Sequence, residues 1–142
     1  MKRLAAILAL LFLSGIPVTA QSPIPLQGKE VTASSGNVAA GVAAATLAAA
    51  TGKVTYICGF AITSSGSTGA AIVSPTVTGV VTGTMTFTYA SVAGATLGNQ
   101  PLVVPISPCM SASAPNTAIV VSLPSLGAGN TNASVNAWGY QR

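Results

Sequence analysis

From Val54 to Ile62 the chain places Val54, Tyr56, Cys58, Phe60 and Ile62 on one parity and Thr55, Ile57, Gly59 and Ala61 on the other. Side chains alternate across a strand every two residues, so this segment reads as a strand and not as a helix. The same period recurs where Met85, Phe87 and Tyr89 alternate with Thr84, Thr86 and Thr88, which predicts a half-buried strand with a hydroxyl-covered outer face. Within Ala118 to Leu123, Ile119, Val121 and Leu123 share one side. Gly127-Ala128-Gly129-Asn130 then turns the chain into a last strand, Ala133 to Tyr140.

Other segments are less regular. Val38 to Ala50 is rich in helix-favouring Ala, yet its large apolar residues form no continuous helical stripe and Gly41 interrupts it, so it reads as a strand. Pro101, Pro105 and Pro108 restrict Leu102 to Ile106 to a sheet edge or a connection, because proline cannot donate to a ladder. The sum is about seven or eight short strands separated by Gly, Pro, Asn and Ser. That pattern predicts a single antiparallel β-sandwich or jelly-roll-like domain over residues 38–142. Residues 21–37, with two prolines and the adjacent charges Lys29 and Glu30, read as an extended N-terminal arm or a first edge segment. The Val-Thr-Gly pair at 77–79 and 81–83 is too local to be a solenoid repeat.

The first 20 residues have the layout of a cleaved signal peptide: Lys2 and Arg3, the apolar run Leu4 to Leu13, then Gly15, Pro17 and the small residues before Gln21. The run is about half the length that a membrane-spanning helix needs, and no later stretch is longer and unbroken, so no membrane anchor is expected. The expected location is secreted, extracellular or periplasmic.

Beyond residue 20 the charges are Lys29, Lys53, Arg142 and Glu30. Three scattered cations cannot neutralise a row of phosphates, so nucleic acid is not an expected partner. There is no His and no Asp, and Glu30 is the only carboxylate side chain. Acid–base catalysis, paired-carboxylate hydrolysis and strong calcium or zinc sites all lack their groups, so the expectation is no enzyme, no metal and no cofactor. With so little charge to keep copies apart, self-association is expected.

Cys58 and Cys109 are the only cysteines, and in an exported chain an even pair reads first as a disulfide. Two buried free thiols or a metal-binding pair are the alternatives. A bridge here would close a loop of about fifty residues and, in the chain-entropy picture, contribute about 4 kcal/mol.

Sugar binding is the one ligand chemistry that the composition still supports. Trp138 and Tyr140 share one face of the last strand about 7 Å apart, with Asn136 and Ser134 on the same face. Aromatic faces stack on pyranose rings, and amides and hydroxyls bond to sugar hydroxyls. The favoured reading is instead that the two rings fill the core or a subunit interface, since the opposite parity offers only Ala133, Val135, Ala137 and Gly139. Asn132-Ala133-Ser134 matches an N-glycosylation acceptor, a short pattern frequent by chance.

The strand Val54 to Ile62, the Gly/Thr-rich strands after it, Cys109 and the closing strand Val135 to Tyr140 together resemble small single-domain β-sandwich proteins. Many of those are encoded in phage genomes and in related bacterial or environmental sequences. The resemblance implies a jelly-roll-like sandwich in a structural or surface-display role, as part of a virion or an appendage, with no catalytic residues. The expected function is therefore that of a non-enzymatic exported structural protein acting as a homo-oligomer or a decoration on a larger assembly. The alternative is a small carbohydrate-binding or adhesive module using Trp138 and Tyr140.

Overall fold

The computed structural model describes residues 28–66, 69–94 and 98–142, so the expected signal peptide and the start of the expected arm lie outside the described residues. All the regular structure described is β: β1 (Lys29–Ser34), β2 (Ala43–Leu47), β3 (Thr55–Ser65), β4 (Ala71–Val73), β5 (Thr76–Val80), β6 (Gly83–Thr86), β7 (Tyr89–Ser91), β8 (Leu102–Ser111), β9 (Ile119–Leu123) and β10 (Asn132–Gln141). One sheet has the order β1-β10-β3-β8, a second β2-β9-β5-β6, and β4 pairs with β7. Every pairing is antiparallel.

Ten strands stand where seven or eight are expected, and Pro75 and its partner segment account for the difference. Val73 pairs with Tyr89, and Thr76 with Thr86. Between them Pro75, which has no N–H, accepts at its carbonyl from the Phe87 amide at 2.8 Å. β4–β5 and β6–β7 are thus the two arms of one bent hairpin, each interrupted once. Counted as arms, the chain makes eight passes, and their orders in the two sheets become 1-8-3-6 and 2-7-4-5. That is the wiring of a jelly roll, two four-stranded sheets face to face.

Burial follows period two on the inner faces. β9 alternates buried and half-buried along Ile119, Val121 and Leu123, as its sequence predicts, and lies inside the second sheet between β2 and β5. β2 confirms the strand reading of its segment, with Ala43, Ala45 and Leu47 buried and Ala44 and Thr46 exposed. Met85 and Phe87 are half-buried and Tyr89 is buried, while Thr84, Thr86 and Thr88 are exposed, so the predicted alternation survives the break between β6 and β7. Phe60 is fully buried and meets Phe87 edge-on, with centroids 5.0 Å apart, across the core between the sheets. β8 takes the edge position that its prolines dictate.

Two expectations are corrected. Of the two readings of residues 21–37, the first edge segment holds for Lys29–Ser34: β1 is hydrogen-bonded along β10 from Lys29↔Gln141 to Ser34↔Asn136 at the edge of the first sheet, so the sandwich includes these residues and the boundary expected at Val38 is moved forward. The single parity from Val54 to Ile62 is also broken. Against β10, Gly59 pairs with Trp138 and Ile57 with Gly139, which leaves Cys58 as an extra residue, a β-bulge. Beyond the bulge Phe60, Ile62 and Ser64 face the core; before it Thr55 and Ile57 do, and Tyr56 and Cys58 turn outward.

Candidate functional site

The Cys58 bulge determines what the outer face of the first sheet displays. It puts Tyr56 and Cys58 on the side where β10 carries Trp138 and Tyr140. Cys58 is bonded to Cys109, with Cα atoms 4.3 Å apart. The bond ties the bulge in β3 to a second irregularity in β8, whose register jumps from Met110 opposite Ile57 to Pro105 opposite Gly59. The disulfide fits an oxidising compartment. Among the described residues no helix is long and apolar enough to cross a membrane.

Trp138 and Tyr140 are half-buried and stand outside the hydrophobic core, whose β10 contribution is Ala133, Val135 and Ala137. Large side chains can face outward here because the sandwich is already filled from other strands by Phe60, Leu47, Ile57, Ile62 and Ile119. The indole of Trp138 covers Gly59: a Cβ at that position would lie 2.5 Å from its Cζ2. Tyr140 stacks on Tyr56 with centroids 4.6 Å apart and planes within 8°. One face of each of these rings is therefore occupied within the chain. Glu30, Thr32, Cys58, Trp138, Gly139 and Tyr140 enclose a small hollow of about 260 Å³. Asn136 and Ser134 continue the same face of β10 away from the rings, and the Asn136 amide donates to Ser134 Oγ at 3.4 Å. The four residues singled out on β10 thus share a face but form no single pocket. Tyr56 joins them, and the alternation along β3 concealed it.

At the far end of the β3–β10 ladder lies a wider groove of about 570 Å³, lined by Asn37, Thr63, Ser64, Ser65, Gly98, Asn99, Asn132, Ala133 and Ser134. Its amides are held in place. Asn37 Nδ2 donates to Asn132 Oδ1 at 2.9 Å, and Asn132 Nδ2 donates to Ser65 Oγ at 3.0 Å. Asn99 Nδ2 donates to Ser64 Oγ at 2.6 Å, and that hydroxyl shares a 2.8 Å bond with the buried Tyr89 hydroxyl. Asn37 and Asn132 are 95 residues apart, so no local motif announces the row.

No group of three or more His, Cys, Asp or Glu side chains that could hold a metal ion occurs among the described residues. No family model, curated protein or solved structure matches the chain.

Proposed function

We propose that this chain is an exported, non-enzymatic structural or surface-display protein that works as a self-associated assembly, such as a virion or appendage decoration. The observation that carries this reading is the uneven guarding of the four edges of the two four-stranded sheets. Exposed edges present unpaired N–H and C=O groups and invite another chain unless charge, proline, bulges or shortness prevent it. β1 carries Lys29 and Glu30 on its edge, and β8 carries Pro105, Pro108 and the disulfide-fastened irregularity. β6 is four residues long and flanks a register shift between Val77 and Val80. β2, Ala-Ala-Ala-Thr-Leu, carries no charge, no proline and no register shift, and Val42 just before it is 60 % exposed.

Two β2 strands meeting antiparallel across a twofold axis would continue the second sheet from one copy into the next. Their outward side chains, Ala44 and Thr46, are small enough not to oppose the approach. The test is the double substitution A44K/T46K in the mature protein, read by light scattering after size exclusion. Facing lysines on the edge are expected to shift the assembly toward monomer; an unchanged oligomer would exclude β2 as the contact.

The alternative, a carbohydrate module built on Trp138 and Tyr140, draws less support from the geometry. A pyranose platform needs open ring faces, and Tyr140 gives one of its faces to Tyr56 while Trp138 gives one to Gly59.

A further inference from the structure

The two ends of the sandwich differ in chemistry. Lys29 sits opposite Gln141, and Val54 and Arg142 exchange backbone hydrogen bonds of 2.9 and 3.1 Å next to Lys53. Glu30 pairs with Tyr140. All four charged side chains among the described residues therefore gather at the end where β10 finishes. The Asn37–Asn132–Ser65 row lies at the end where β10 begins, about 30 Å away along a ten-residue strand. Five of the six asparagines, Asn37, Asn99, Asn130, Asn132 and Asn136, lie in the half of the molecule without charge.

We propose that the uncharged groove framed by Asn37, Asn132, Ser65, Thr63 and Ser134 binds a neutral carbohydrate. This inference is independent of the assembly reading and of the aromatic face. The groove falls within the size range of small-ligand sites, about 300 to 1,000 Å³. Its hydrogen-bonding capacity is only partly used. Asn37 Oδ1 and the Thr63 hydroxyl take no partner among the described residues, while Ser65 and Ser134 accept from Asn132 and Asn136 and keep their own hydroxyl protons to donate. A row of fixed neutral donors and acceptors matches vicinal sugar hydroxyls, each of which both gives and accepts a hydrogen bond. An anion or cation would find no counter-charge there.

The row is also braced from below. Asn130 is 2 % exposed, and its amide nitrogen, in the orientation that satisfies its neighbours, donates to Asn132 O and Ser65 O at 3.0 Å each. This buried clamp ties the start of β10 to the end of β3 beneath the two side chains that a ligand would touch. Orientation is thereby fixed before binding, which lowers its entropic cost.

The test is a titration of the ¹⁵N-labelled mature protein with maltotriose, chitotriose and lactose, with sialyllactose as the charged counterpart, followed by amide chemical shifts. The expected result is saturable shifts at Asn37, Thr63, Ser65, Asn132 and Ser134 with at least one neutral sugar, and about tenfold weaker binding in N37A, an exposed position where truncation removes one surface hydrogen bond, with the amide spectrum away from the groove unchanged. No saturable shift with any of the sugars would overturn the proposal, as would shifts confined to Tyr56, Trp138 and Tyr140. Tighter binding of sialyllactose than of lactose would overturn the neutral character of the site.

Discussion

Gly59 shows how one small residue organises the outer face. It is the partner of Trp138 across β3 and β10, and a methyl group there would meet the indole at 2.5 Å and the Val104 carbonyl oxygen at 2.8 Å. Neither obstacle is the end of a flexible chain, so G59A must push the indole off the sheet. The expected cost is about 1 to 3 kcal/mol, the usual range for overpacking, seen as a lower denaturation midpoint. Trp138 is the only tryptophan, so its fluorescence reports the displacement directly, as a red shift at equal folded fraction. An unchanged midpoint and spectrum would mean that the indole does not rest on Gly59. From sequence Gly59 is just one small residue of an alternating strand. Its role depends on which residue of β10 lies opposite, and pairing register is a property of two strands together.

At the scale of elements, the strands themselves and the all-β class were the more legible part. The β-branched alternation in β9, the Met85-Phe87-Tyr89 pattern and the prolines of β8 each identify a strand and its burial or edge position, because each signal is contained in one segment. The bulge at Cys58 was not legible, since an extra residue is defined only against β10 and β8, and neither Tyr56 facing outward nor its stack with Tyr140 follows without it. The division of the long hairpin at Pro75 was half legible: proline predicts an interruption, but not that Phe87 on the other arm breaks with it. The Cys58–Cys109 bond fastens the bulge, and its 51-residue separation sets the expected effect of removing it. The double substitution C58S/C109S is expected to lower unfolding stability by about 4 kcal/mol in the chain-entropy picture. Urea titration of the oxidised protein against that variant checks it. Equal midpoints would show that the sheet holds this junction without the bond.

For the whole molecule, the scarcity of charge has two consequences that the fold separates in space. Among the described residues the few ionic side chains gather at one end of the sandwich, where Lys29 and Glu30 guard the β1 edge, whereas the β2 edge carries no charge and the opposite end presents amides and hydroxyls without charge. Composition made self-association an expectation; which edge is open required the sheet order, because protection is a matter of where a lysine or proline falls and not of how many there are. The proposed role as an assembly rests on this open edge. Light scattering coupled to size exclusion on the chain from Gln21 onward, expressed with export so that the cysteines oxidise, is the measurement to make. A discrete oligomer that persists on dilution is expected if the β2 edge joins copies, and a monomer at every concentration would rule that role out.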